Sequence, residues 1–322
     1  MRRSFRAVIF SAVLLWILPA TAWAAETLIP VGRIIGLQLQ DDTVTVAAFE
    51  DESRNPAKAA GLKIGDQIIR VGNQEIRSAQ DVRAALKACP EEVSLTIRRG
   101  CKQTTLVFAP EQAEDGPRLG VYLRQGIAGI GTVTYYDPET GRFGTLGHGV
   151  SDPKGTLLPM TQGTAHESTL VSVVPGKSGE PGQLKGQADA GTLFGTLLRN
   201  TPRGVFGKTN LGWTGEAIPV ASSQEVKTGP ATIRSTVTEG PPRDYSVEIL
   251  KIYPKDHSQY RNMLLKVTDP ELLKITGGIV QGMSGSPIIQ DGKLVGAVTH
   301  VLVNDPTRGY GIFIENMLDA AG

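Results

Sequence analysis

A glycine-rich turn near the C-terminus holds a serine that could act as a nucleophile. The stretch 282–287, GMSGSP, precedes two apolar runs joined by Asp291-Gly292, which predict a β-hairpin. A nucleophilic serine needs an exposed hydroxyl, a base and N–H donors for the oxyanion. Gly282 can take backbone angles that aim its N–H and that of Ser284 at one point. We therefore expect the nucleophile at Ser284 and the oxyanion hole at Gly282 and Ser284; an ordinary glycine turn is the alternative.

The base for such a serine would be one of four histidines. His148 lies between glycines after a predicted strand, and a histidine far upstream of the serine is the order of the trypsin-like template. His300 ends the last strand of the hairpin and is a rival base. His166 and His257 lie in polar stretches, where we expect them to be solvated.

The sequence does not single out one acidic residue that would orient the histidine. The aspartates considered between His148 and the serine are Asp152, Asp189, Asp244, Asp256 and Asp269. Asp269 follows an apolar run and precedes Pro270, so it either meets the imidazole or forms an Asp-Pro turn. Both interpretations remain open at this point.

The composition does not indicate binding of nucleic acid, a metal or a cofactor. The net charge is +1, charged residues are 20%, and no run of like charges stands out. Two cysteines and scattered histidines offer no metal-ligand spacing, so we expect no metal and no cofactor. A predicted strand separates Cys89 from Cys101 by roughly 20 Å, whereas a disulfide needs α-carbons within about 7 Å, so we expect no disulfide.

The N-terminus has the pattern of an export signal. A basic stretch, residues 1–6, precedes an apolar run at 7–18 and the small-x-small sequence Ala22-Trp23-Ala24. We expect residues 1–25 to be a signal peptide or an uncleaved membrane anchor. The rest of the chain would then work outside the cytosol, with the membrane contacted only through this segment.

Residues 31–110 form one compact pattern of short strands, one helical turn and a helix after Ser78. The segment AAGLKIGDQIIRVGNQEI, residues 59–76, resembles a PDZ domain. That resemblance implies a peptide added as a strand beside a helix. By position the groove residues are Gly32, Ile34, Ile35, Gly36, Leu37 and Val82. The alternative is a groove that only packs on the neighbouring domain.

Residues 118–322 show short strands and turns with no long amphipathic helix before the C-terminus, which favours a β-barrel or a pair of barrels. The expected fold class is mainly β: an N-terminal α+β PDZ domain, then a domain of one or two β-barrels. We expect the substrate pocket in the strands flanking Ser284, roughly 275–281 and 294–300.

The stretches GTLGHGVSD, residues 144–152, and GGIVQGMSGSPIIQDGKLVGAVTHVLVNDPTRGYGIFIENML, residues 277–318, closely resemble the SpoIVB (stage IV sporulation protein B) peptidase family. The resemblance implies a trypsin-like double β-barrel peptidase domain, a serine peptidase with nucleophile Ser284, base His148 and acid Asp269. It also implies secretion into the forespore intermembrane space, self-cleavage, and cleavage of a regulatory partner of an intramembrane metalloprotease, which triggers sigma-factor processing.

Two other functions fit the same pattern. One is a non-catalytic PDZ scaffold of a membrane complex, which the intact His148 and Ser284 disfavour. The other is a quality-control protease like the HtrA proteins, although those place the PDZ domain after the peptidase.

Overall fold

The computed structural model describes residues 27–51, 53–152 and 155–322. The predicted signal segment, residues 1–25, lies outside the described residues. Among the described residues, no helix combines the length and the apolar character that crossing a bilayer requires.

Short strands dominate the N-terminal third of the described chain, with two helices between them. Its elements are β1 (Thr27–Pro30), β2 (Ile34–Phe49), α1 (Pro56–Ala59), β3 (Gln67–Val71), β4 (Gln74–Glu75), α2 (Ala79–Lys87), β5 (Val93–Arg99), β6 (Lys102–Phe108), β7 (Glu111–Ala113) and β8 (Gly116–Arg118).

The rest of the chain is again mostly strands. The first group is β9 (Val121–Tyr136), β10 (Arg142–Thr145), β11 (Gln162–Val174), β12 (Gln183–Thr201), β13 (Gly204–Lys208) and β14 (Ile218–Pro219). The second is β15 (Gly229–Ser235), β16 (Arg243–Ile252), β17 (Met263–Val267), α3 (Pro270–Thr276), β18 (Pro287–Gln290), β19 (Lys293–Leu302), β20 (Asp305–Phe313) and α4 (Ile314–Ala321).

The predicted helix of the PDZ-like unit is α2, and it begins where the sequence indicates. The Ser78 hydroxyl accepts the N–H of Asp81 at 3.1 Å, which caps the first turn. The buried face of α2 consists of Val82, Ala85 and Leu86. It packs into a core that the second half of β2 shares with β3, β5 and the first half of β9.

Strand β2 runs out of this unit into a first barrel. Residues 34–39 pair with residues 132–127 of β9 on one edge, and residues 35–40 pair with residues 167–162 of β11 on the other. The pairing order β9-β10-β13-β12-β11-β2, together with the β2–β9 pairing, closes six strands into a ring.

This pairing corrects the expected peptide groove. From the sequence we expect a ligand-accepting strand edge at Ile35, Gly36 and Leu37, after a loop at Gly32. Both edges of that segment are already bonded to protein strands, so a peptide has no free main-chain groups to pair with there. Ile34, Ile35 and Leu37 are buried, and Val82 is buried at 2% exposure in the core of the PDZ-like unit.

The second barrel is a closed ring of six strands in the order β15-β16-β17-β20-β19-β18. Its interior is mostly apolar, and Ile233, Ile249, Met263, Leu265 and Ile288 have no exposed surface. The predicted hairpin is β18–β19. Asp291 and Gly292 form its turn with φ of 50° and 73°, the left-handed values that a two-residue hairpin turn needs. Among the described residues, Cys89 and Cys101 are free thiols.

Candidate active site

The predicted nucleophile turn lies at the start of β18 and is held by its own backbone. Met283 N–H donates to Val280 O at 3.1 Å, and Ser286 N–H donates to Met283 O at 2.9 Å. Met283 is fully buried in the core of the second barrel. Ser284 is therefore half-buried on a turn whose neighbours are anchored.

The first barrel fixes the same turn from the other side. Thr132 of β9 donates its N–H to Ser284 O at 3.0 Å and its hydroxyl to Gly282 O at 2.7 Å. Gly285 has φ of 97°, and a Cβ there would lie 2.0 Å from Thr132 O. Only glycine permits this close approach, so Gly285 is required for the contact between the barrels.

His148 reaches the site through a strained corner after β10. Leu146 and Gly147 have φ of 69° and 67°, which for a leucine is an unfavourable left-handed conformation. His148 Nδ1 lies 2.9 Å from Gly149 O. Because a carbonyl only accepts, Nδ1 carries the proton and Nε2 is left as the acceptor, as a general base requires.

Burial controls the charge of this histidine. It lowers the pKa of His148 below the ordinary value of 6.5, and the hydrogen bond to Gly149 opposes this with a smaller effect. At neutral pH the imidazole is therefore neutral and able to take a proton.

His148, Gly282 and Ser284 all line one cavity of about 320 Å³ between the two barrels. Gly282 has φ of 95°. Within the described ranges, the N–H groups of Gly282 and Ser284 donate to no protein acceptor, which leaves both available to an oxyanion.

The Ser284 hydroxyl is not bonded to His148 in this conformation. It donates to the carbonyl oxygen of Thr299, on β19, at 2.7 Å. A rotation of the serine side chain about its Cα–Cβ bond has to break this bond before Ser284 can donate to a base. The hydroxyl thus lies in the cavity with His148 but in a resting orientation.

His300 lies closer to His148 than its sequence position suggests. The two ring centroids are 5.1 Å apart. Burial, the neighbouring His148 and the charge of Arg261 lower the pKa of His300 to about 4. Its buried Nδ1 has no hydrogen-bond partner in the part of the chain that the structure describes.

Asp269 occupies a different part of the second barrel. Its Oδ1 accepts the N–H groups of Glu271 and Leu272 at 2.9 and 3.0 Å, which caps α3. Its Oδ2 accepts Ser246 N–H at 3.3 Å. The structure therefore brings His148, Gly282 and Ser284 together and leaves Asp269 on the helix cap; its role as orienting acid stays a prediction.

Some residues of the site have no motif that would reveal them. Thr132 is one residue of an alternating strand, and the contributions of Gly149 and Thr299 are main-chain carbonyls, which any residue type supplies. The closeness of His300 follows from barrel closure. The expected solvation of His166 is wrong, because His166 is half-buried on β11 and its Nδ1 is buried.

The cavity beside Ser284 does not coincide with the segments 275–281 and 294–300, where the substrate pocket is expected and stays a prediction. Of the segments flanking Ser284, only Gln281 lines this cavity beside the turn, and most of the wall comes from the first barrel. A strand more than a hundred residues upstream cannot be assigned to the pocket before the barrels are closed.

Two β-barrels that meet at a serine and a histidine define the class of two-barrel serine peptidases. The model of one family, SpoIVB peptidase S55, matches residues 115–318, and a PDZ domain model matches residues 53–99. The first match covers more than half of the 322 residues. The chain belongs to the SpoIVB peptidase S55 family.

Relatives with curated names share shorter segments. Serine protease HTRA2 of Bos taurus is 37% identical over 60 residues, 19% of this chain and 13% of that protein. Serine protease HTRA1 of Xenopus tropicalis is 39% identical over 59 residues, 18% and 13%. A protein of Agrobacterium fabrum named as a zinc metalloprotease is 27% identical over 111 residues, 34% and 27%. The chain thus spans about a quarter or less of the length of these relatives.

Similar solved structures include HtrA-type protease AlgW with a decapeptide, with a TM-score of 0.37 and 12% identity over 65% of this chain and 57% of that chain. The inactive form of the Rv3671c protease has a TM-score of 0.34 and 14% identity, covering 61% and 85%. The family match supports a serine protease. The predicted mainly β fold with a PDZ domain and a peptidase domain is confirmed.

Proposed function

We propose that the protein is an exported serine endopeptidase in which Ser284 attacks the peptide carbonyl and His148 takes the serine proton. The observation that carries the proposal is the shared cavity: His148, Gly282 and Ser284 line the same space between the barrels. After the His148 imidazole has taken the serine proton, it gives this proton to the leaving amine. The N–H groups of Gly282 and Ser284 stabilise the tetrahedral oxyanion.

The orienting group for His148 has two candidates. In the resting conformation His148 Nδ1 donates its proton to the Gly149 carbonyl oxygen, with 2.9 Å between the nitrogen and the oxygen. The family pattern assigns this role to Asp269, which requires the helix cap to open or the site to rearrange. Asp269→Asn separates the two, because asparagine caps a helix about as well as aspartate but cannot stabilise the imidazolium by charge.

We expect Asp269→Asn to keep the helix cap and to lose only the 3.3 Å hydrogen bond that Oδ2 accepts from Ser246 N–H, which lowers stability by about 1 kcal/mol in either case. If Asp269 orients the base, kcat falls by a factor on the order of 10⁴. If Asp269 is only a cap, kcat stays close to the wild-type value. Asp269→Ala should lower stability by about 1 kcal/mol more than Asp269→Asn in both cases, because it also removes the cap.

The proposal extends to substrates and place of action. By resemblance to its family, the enzyme cleaves itself and a membrane-protein regulator of an intramembrane metalloprotease, and so triggers sigma-factor processing. It would act in the forespore intermembrane space, secreted or tethered by residues 1–25. The PDZ domain would then select protein partners.

The decisive experiment compares wild type with Ser284→Ala over time. Mass spectrometry of the incubated proteins should show self-cleavage fragments only for the wild type. A serine-directed fluorophosphonate should label Ser284 in the wild type and leave Ser284→Ala unlabelled. Absence of both fragments and label would refute the peptidase.

One observation favours a second candidate, a non-catalytic scaffold: the Ser284 hydroxyl donates to Thr299 O and not to a base. The fluorophosphonate distinguishes the two candidates, because a scaffold with a permanently engaged serine would not react. A quality-control protease would instead react and also degrade unfolded casein without sequence preference.

A further inference from the structure

We propose that the cavity beside Ser284 and His148 binds one uncharged aliphatic side chain of the substrate, adjacent to the bond that is cut. The proposal rests on the proposed peptidase function and adds the substrate class. It starts from the position of the cavity, whose rim carries both the nucleophile and the base. A side chain in this cavity therefore belongs to a residue at the scissile bond.

The wall selects against charge. Among the described residues, no Lys, Arg, Asp or Glu lines the cavity. A charged side chain would lose its hydration there without gaining an opposite charge. Six of the thirteen residues that line the cavity are aliphatic, and they come from β2, from β9 and from either side of His148: Leu37, Leu39, Ile127, Ile130, Leu146 and Val150.

The shape of the wall depends on the strained corner. Leu146 has its left-handed φ of 69° at the point where it joins the cavity. Its side chain lies over β9, because a Cβ on Gly131 would be 2.3 Å from Leu146 Cδ2. Backbone strain of this kind persists where the surrounding structure enforces it, and it concentrates at functional sites.

The volume limits what the cavity can hold. Its 320 Å³ is at the lower end of the range of about 300–1,000 Å³ that ligand pockets span. This space suits one medium-sized side chain together with its adjoining main chain. Leucine, isoleucine, methionine and valine match both the size and the apolar wall.

Gly129 provides a way to fill the cavity without straining the fold. It lines the cavity on β9 opposite Leu37, and a Cβ built there meets no atom within 4 Å. Gly129→Val would therefore place a branched side chain in open space. The matched control is Ala128→Val, because Ala128 is exposed, precedes Gly129 on the strand and faces the opposite side.

The test exposes the full-length protein to a proteome-derived mixture of peptides and reads the residues at each cut by mass spectrometry. We expect Leu, Ile, Met or Val to be enriched at one of the two positions flanking the cut. Gly129→Val should lower kcat/KM for a leucine peptide by about 10- to 100-fold, since each methylene excluded from an apolar pocket changes the rate about 10-fold or more. Ala128→Val should behave like wild type.

Two outcomes overturn the inference while the peptidase stands: enrichment of charged residues at both flanking positions, or equal activity of Gly129→Val and Ala128→Val on the leucine peptide. Unchanged fluorophosphonate labelling of Gly129→Val would show that its nucleophile is intact, so a loss of cleavage reports on the cavity. If wild type cuts no peptide and takes no label, the proposed function fails, and the inference fails with it.

Discussion

Replacing His300 by glutamine should remove a specific sensitivity of the fold to acid. The pKa of His300 is lowered from 6.5 to about 4 by burial, by His148 and by Arg261. Between these two values the unfolded chain binds a proton that the native protein does not, so the free energy of unfolding decreases as the pH falls from about 6.5 to about 4. At about 1.4 kcal/mol per pH unit, the full difference is about 3 kcal/mol.

The measurement compares the pH dependence of two proteins and does not depend on their absolute stability. Ser284→Ala and the double variant Ser284→Ala/His300→Gln would be unfolded in urea from about pH 7.5 to about pH 4, followed by circular dichroism. The serine change prevents self-cleavage in both proteins. The stability of the single variant should fall by about 3 kcal/mol more than that of the double variant across this range.

Histidine-selective NMR provides the direct control, since the full chain contains only four histidines. The resonance missing from the double variant identifies His300, and its titration should have its midpoint near pH 4. A midpoint at or above 6.5, or parallel stability profiles of the two variants, would refute the argument from burial and from the neighbouring imidazole.

Three further predictions concern the turn and the base. Thr132→Val should lower stability by about 1–3 kcal/mol and reduce kcat, because it removes the hydrogen bond that the hydroxyl donates to Gly282 O. The control is Thr134→Val, since the buried Thr134 hydroxyl has no partner within the described chain. It should leave kcat and stability unchanged or raise stability, and thermal unfolding and peptide cleavage measure both effects. Gly285→Ala should abolish cleavage through its collision with the first barrel, whereas Gly292→Ala, with φ of 73° and open space, should cost only about 1–2 kcal/mol. Because burial lowers the pKa of His148 and its neutral form is the base, kcat/KM should keep its plateau as the pH falls through 6.5; a decline centred at or above 6.5 would contradict this.

Local rules predicted the local structure well. The cap at Ser78, the hairpin turn at Asp291-Gly292 and the glycine turn around Ser284 each depend on residues within a few positions of one another. Short-range hydrogen bonds and backbone preferences determine such features, and the sequence displays both. The PDZ and peptidase motifs also predicted the order of the two domains along the chain.

Long-range pairing is where the prediction failed. Residues 34–39 have the alternation and the preceding glycine of a peptide-binding strand, and nothing local distinguishes a free edge from a paired one. Both edges of this segment pair with β9 and β11, which lie about a hundred residues downstream in the chain. The aliphatic wall of the cavity was missed for the same reason.

The course of strands β2 and β9 explains why the two units are not simply consecutive. Residues 34–39 of β2 belong to the first barrel, residues 44–49 enter the PDZ-like unit, and β9 returns from that unit at 121–125 to the barrel at 127–132. The unit is therefore connected to the barrel through two adjacent, paired strands and not through a flexible linker. Since Thr132, at the end of the returning segment, holds the turn of Ser284, the position of the nucleophile depends on the strand pair that also anchors the PDZ-like unit.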